Sequence, residues 1–294
     1  MVAPPRPMLN KAHSFVVALE LLVLGVLGLT RQIHLLTDLV QPLFAAMNRP
    51  GLTPLLAGND AQKDCYQFLS FFLLELAIYH VVMAEDIDFV MSTLVARAIL
   101  IFLITPEMIL TNSGVTADAW LLVLLEGIQV VALYVSMTDA MKRGVKTYRP
   151  FPNFPQHPAW VAGAPLALLG ASLVLRQGWY AIRPLDYAVM QPLGLEPLGS
   201  LLLQPTVVPM AAICAQPLAQ LGFLFFWNDQ SPKLGKISVF CRVALSGLGL
   251  VLTVFVCENL PDGLYLLSLW SFIGALVTFL AMSKRPTHSP EHTQ

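Results

Sequence analysis

Eight times along this chain, roughly twenty residues pass with almost no charge among them, the length that carries an α-helix across a bilayer. The runs are approximately Ser14 to Thr30, Cys65 to Met83, Phe89 to Ile104, Ala117 to Met137, Trp160 to Leu175, Thr206 to Trp227, Ile237 to Cys257 and Gly263 to Met282. In hydrocarbon, every backbone N–H and C=O must find its partner within the segment, so these runs predict helices. The ten-residue alternation of a membrane barrel strand is missing from them. Only 12% of the residues are charged, against about a quarter in soluble domains, and 56% are hydrophobic. Water does not solvate such a surface; lipid does. The expected fold class is therefore all-α, a polytopic membrane protein of about eight transmembrane helices. A net charge of −1 excludes a phosphate-neutralising nucleic-acid binder. The first run follows a Pro-rich segment and leads to no small-residue cleavage site, so it reads as a retained span.

The segments between the runs differ in kind. Two long connections, after the first and fifth runs, contain Pro42, Pro50, Pro54 and Pro184, Pro192, Pro197 among apolar residues. They suit surface-lying or re-entrant segments better than free loops. Residues 142–157 are basic and then Pro-rich and read as a linker. It separates a first four-helix unit (1–141) from a second (158–285), with a polar tail at 286–294. With eight spans, one side collects Arg6, Lys11, Lys142, Arg143, Lys146, Arg149, Lys233, Lys236, Lys284 and Arg285. The other collects Arg31, Arg49, Lys63, Arg176 and Arg183. The first side is the cytosolic one by the positive-inside rule, so both termini are expected there. Without secretory disulfides or glycosylation sequons, an endoplasmic-reticulum membrane is the expected location.

The two units align at an offset of 145 residues. Leu24-Gly25 matches Leu169-Gly170, Arg31-Gln32 matches Arg176-Gln177, Arg97 matches Arg242, and Met137 matches Met282. Leucine identities mean little in this composition, but two arginine pairs at one offset point to duplication. Four spans per unit keep both copies in the same orientation, a parallel repeat.

A charge inside a span is costly and marks a candidate site. Glu75, Arg97, Glu126 and Arg242 are deep in their runs, and Glu20 is shallower in the first. Glu75, Arg97 and Glu126 are expected to meet inside the first unit. Two carboxylates on one guanidinium leave one incompletely neutralised, and burial then favours its protonated form, a general acid toward an apolar substrate. Glu75 aligns with Gln220 and Glu126 with Ser271, so the second unit keeps the cation without the acids and reads as scaffold. Tyr79 shares the face of Glu75 one turn along, and His80 reads as a hydrogen-bonded interfacial histidine. Catalytic candidates are thus Glu75, Glu126, Arg97 and Tyr79. A bland alternative is a buried structural triad. Cys65, Cys214, Cys241 and Cys257 form no C-x-x-C pair and read as packing residues. No metal-ligand spacing and no metalloprotease, aspartate-rich or serine-hydrolase motif occurs, and no cofactor is expected. Phe71, Phe72, Trp120, Tyr134, Phe223, Phe225, Phe226, Trp227, Tyr265 and Trp270 supply rings, either for a carbocation or for interfacial belts.

The stretch Phe71-Phe72-Leu73-Leu74-Glu75-Leu76-Ala77-Ile78-Tyr79 resembles one helix of the small integral-membrane terpene cyclases of fungal meroterpenoid pathways. That resemblance implies a membrane-embedded acid, placed at Glu75, that protonates an epoxide or olefin of a prenylated substrate. Leu74 stands where the family has Trp, and the family's late second acid has no clear counterpart here. The expected partners are a lipophilic small molecule and membrane lipid, and the expected activity is acid-initiated cyclisation or isomerisation of an isoprenoid. A small-molecule or ion transporter, with Gln204 to Gln220 as a broken helix, and a non-catalytic scaffold are the alternatives.

Overall fold

The computed structural model describes residues 9–32, 60–84, 86–111, 117–142, 159–204, 215–227, 232–255 and 262–283, with a few isolated positions between them. Most of these residues are helical, and no strand occurs among them. Helix α1 spans Leu9–Leu29, α2 Asp60–Val82, α3 Ile87–Thr111, α4 Ala117–Lys142 and α5 Ala159–Val174. After the short α6 (Gly178–Leu185) and α7 (Gly199–Leu202) come α8 (Gln216–Trp227), α9 (Pro232–Phe255) and α10 (Asp262–Ser283). Most of the first long connection, nearly all of the 142–157 linker and the 286–294 tail lie outside the described residues, as do Cys214 and Cys257.

Three helices contain a stretch long and apolar enough to cross a membrane: Ala12–Leu29, Cys65–Val82 and Leu124–Lys142. Shorter apolar stretches occupy Phe89–Phe102, Gly163–Val174 and Leu269–Leu280. Helix α1 begins five residues before the apolar run that predicts it, because Asn10, Lys11 and His13 are polar but helix-compatible. The sixth run is helical from Gln216. Upstream, the N–H of Ala211 bonds to Val207 O at 2.8 Å and that of Ala215 to Ala211 O at 2.9 Å, a helical pattern at the described positions.

Two helix ends are built alike. At the end of α1, Arg31 N bonds to Gly28 O at 3.0 Å and Gln32 N to Leu27 O at 2.8 Å, with Arg31 left-handed at φ 57°. At the end of α5, Arg176 N bonds to Leu173 O at 2.9 Å and Gln177 N to Ser172 O at 2.8 Å, with Arg176 at φ 55°. This is a Schellman-type stop. A side chain in the left-handed region costs about 1–3 kcal/mol, which glycine would avoid.

Helix α1 packs along α2, where Tyr66 Oη donates to Leu24 O at 3.2 Å and Gln67 Nε2 to Leu29 O at 2.8 Å. Helix α5 packs along α8, more tightly: a Cβ added at Gly170 would collide with the backbone of Ala219, and one at Gly222 with that of Ala167. Helix α3 pairs with α4 and α9 with α10, while α2 and α8 meet in the centre. Within the halves α1 also meets α4 and α5 meets α10, and two further contacts are crossed, α2 against α9 and α8 against α3. Leu76, Tyr79, Leu218, Leu221 and Leu224 are fully buried there. Outward, Phe15, Leu19, Leu124, Val131, Leu168, Phe240 and Phe279 are exposed, an apolar exterior around an interior holding Ser70, Glu75, His80, Arg97, Gln129 and Arg242.

The second long connection is built of short helical pieces. Helix α6 runs into a π-turn at Asp186–Met190 and a 3₁₀ turn at Gln191–Leu193, closed by left-handed Gly194. The Asp186 carboxylate accepts from Leu198 N at 2.7 Å and Gly199 N at 2.9 Å and so caps α7. Trp179, Tyr180, Tyr187 and Leu193 stay exposed, and the Arg183 guanidinium lies 5.5 Å from the Trp179 ring centre.

Candidate functional site

Two arginine-centred clusters occupy the interior. Arg97 of α3 is 1% exposed, and it carries the larger cluster. Its Nη1 donates to Glu126 Oε2 and to Gln129 Oε1, and Gln129 Nε2 in turn donates to Glu20 Oε2 of α1. Glu126 and Gln129 are three residues apart on α4 and so present one face to α3. The network thus joins α1, α3 and α4. Glu20 and Glu126 repel one another, and Arg97 attracts Glu20. Glu126 is largely covered, with 13% of its side chain exposed.

The second cluster holds Arg242 of α9, also 1% exposed, with Nε 3.5 Å from Glu75 Oε1. Tyr79 Oη donates to the same carboxylate oxygen. Glu75 and Tyr79 share the face of α2 that turns toward α9.

Arg97 and Glu126 meet as expected, but Glu75 does not join them. The helical spacing of Glu75 and Tyr79 was legible. Which neighbour their face meets was not, because that depends on α2 packing against α9. The second half is likewise not a bare scaffold, since Arg242 supplies the counter-ion of Glu75. Glu20, read as shallow, is a member of the Arg97 cluster. It lies eleven residues into α1, and Arg97 ten residues into α3, so the two stand at matching depth if both helices start at one face. Reading α1 from Ser14 hid this. Gln129 was also missed, and its signal was the three-residue spacing from Glu126.

His80 departs from its expected interfacial role. It is 1% exposed, packs edge-on against Phe89 with ring centres 5.2 Å apart, and neither ring nitrogen has a hydrogen-bond partner among the described residues. Of the expected ring-bearing residues, Phe71 and Phe72 are buried, whereas Tyr134 and Trp270 face outward. Cys65 and Cys241 are buried thiols outside any disulfide. Among the described residues, no three His, Cys, Asp or Glu side chains gather as a metal ion would require.

Comparison with protein-family models, curated proteins and solved structures found no match to this chain. The chemistry of the site rests on its own residues. One guanidinium serves two carboxyl groups, one directly and one through a neutral amide. Such a group is electrically balanced when one carboxyl carries a proton. The Glu75–Arg242 pair needs no proton for balance.

Proposed function

We propose that this chain is an integral-membrane enzyme that acts on an apolar isoprenoid-type substrate by acid-initiated cyclisation or isomerisation, with Glu20 as proton donor and Arg97, Glu126 and Gln129 holding it. The observation that carries the reading is the two-carboxyl, one-arginine cluster, within helices apolar enough to lie in lipid. Glu20 is only half-buried, and on α1 its neighbours one turn away, Val16 and Val23, are exposed, as are Leu125 and Ile128 on α4. A lipophilic molecule entering from the bilayer between α1 and α4 would meet the acid. Phe71 and Phe72 offer rings inside the first half, and a ring facing a carbocation contributes roughly 0.5–2 kcal/mol. The substrate class comes from the resemblance to membrane terpene cyclases; the acid moves from Glu75, which Arg242 and Tyr79 engage, to Glu20.

The architecture that goes with this reading is eight transmembrane helices in two parallel four-helix repeats, both termini cytosolic, in the endoplasmic-reticulum membrane. Three features support the duplication. Arg31 and Arg176 end their helices with the same bonds. Gly25 against Leu74 and Gly170 against Ala219 are the same contact at the same offset. The crossed packing of α2 with α9 and α8 with α3 is what a two-fold relation between repeats produces.

The test is product analysis with a panel of isoprenoid epoxides and alkenes on purified protein in lipid. Glu20→Gln is expected to lower turnover by about 10²–10⁴-fold, the usual contribution of a positioned acid. Wild-type turnover in Glu20→Gln would remove Glu20 from the chemistry. A transporter is the second reading, favoured by the Glu75–Arg242 pair, which ties one half to the other as a gate would. Substrate flux in proteoliposomes without chemical change of the substrate would favour it.

A further inference from the structure

An acid that gives its proton to a substrate must recover one, and half-buried Glu20 stands within the apolar stretch of α1, where on the proposed reading its open side faces lipid and not water. We infer that His13 is the residue that takes protons from the membrane face at the start of α1 and passes them to Glu20, with His80 beside the route. This inference rests on the acid role of Glu20.

His13 and Glu20 are seven residues apart on α1, two turns along one face and about 10 Å in rise. His13 is half-buried, near the end of the helix, so it stands between solvent and the cluster. Its Nε2 is buried and has no hydrogen-bond partner among the described residues, and the same holds for Oγ of adjacent Ser14 and both ring nitrogens of His80. Buried polar atoms that lack protein partners are the usual anchoring points of internal water. A short water chain along them would span the distance from His13 to Glu20.

The placement of His80 agrees. Its ring lies against Phe89 in the first turn of α3, and Phe89, Thr93 and Arg97 stack on one face of that helix at four-residue intervals. Helical side chains tilt toward the start of their helix, which for Arg97 is the end that carries Phe89 and His80. The Arg97 charge acts on both His13 and His80, and His13 acts on His80. The ionisable groups around the route are therefore Arg97 from α3, His80 from α2 and Glu126 from α4, with Asp139 half-buried nearer the end of α4. In the aligned positions of the second half, His13, Glu20 and His80 are replaced by Pro158, Pro165 and Phe225. The acid and both histidines are thus confined together to one half, as parts of one device would be.

The transfer is balanced. Neutral His13 takes a proton from water at the membrane face on its other ring nitrogen, the imidazolium releases the Nε2 proton to the water chain, and the Glu20 carboxylate accepts it. His13 returns to neutral, and no electron moves.

The experiment is a rapid pH step on the full chain in lipid nanodiscs, following the infrared carbonyl stretch of a protonated carboxyl group. Glu20→Gln assigns the band. His13→Ala is expected to slow the appearance of the band by about a hundredfold, the lower range of what a positioned proton carrier contributes, and imidazole in the buffer is expected to restore it. His13→Gln, nearer in size, gives the same result without imidazole and covers the case in which the alanine variant does not fold. A band that appears at the wild-type rate in both variants overturns the relay and leaves the acid role standing. Absence of any band that depends on Glu20 overturns both.

Discussion

Arg97 and Arg242 occupy matching places in the two halves and are equally buried, yet their partners differ. Arg242 answers Glu75 across the halves, whereas Arg97 answers Glu126 and, through Gln129, Glu20. The charged residues stood out in the sequence because a charge in an apolar run is rare. Their partners did not, since pairing depends on which helix faces which. Energetically the two clusters make different demands. Removing one member of a buried pair leaves a charge without compensation, at about 3–5 kcal/mol, while replacing both by apolar residues is often neutral. Arg242→Met is therefore expected to lower the thermal unfolding temperature in detergent strongly, and Arg242→Met with Glu75→Leu to recover most of the loss. Equal losses in the single and double variants would mean that the pair is not what holds the two helices.

At the scale of helices, the apolar runs were legible as helix within the described residues, because the need for internal hydrogen bonding leaves few alternatives, and three of the helices are long and apolar enough to cross a membrane. Starts and stops were less so: α1 extends back through polar residues, and Arg31 and Arg176 end their helices where glycine would be looked for. Nor did the runs reveal how closely α5 and α8 approach. That closeness rests on Gly170 and Gly222, whose missing side chains bring backbone against backbone. Gly170→Val is expected to cost roughly 1–3 kcal/mol or more through forced separation of the two helices. Gly247 on α9 has nothing within 4 Å of an added Cβ, so Gly247→Ala is expected to stabilise by about 0.4–1 kcal/mol. Chemical unfolding of both variants in one detergent checks the pair. A tolerated valine at Gly170 would contradict the close contact.

For the whole molecule, the distribution of polarity is reversed relative to a soluble protein. Phenylalanine, leucine and valine cover the outside, and arginine, glutamate, glutamine and histidine lie inside. Composition made that reversal legible. It did not reveal that the interior charges divide into two clusters, one spanning both halves and the other gathered in the first half beside His13 and His80. On the proposed reading, that division separates a structural ion pair from an acid with a proton supply. The most direct measurement is the equilibrium infrared spectrum of the protein in lipid at neutral pH, compared across variants. The account predicts a protonated-carboxyl band that persists in Glu75→Gln and disappears in Glu20→Gln. A band that disappears in Glu75→Gln and persists in Glu20→Gln, or no band at all, would contradict it.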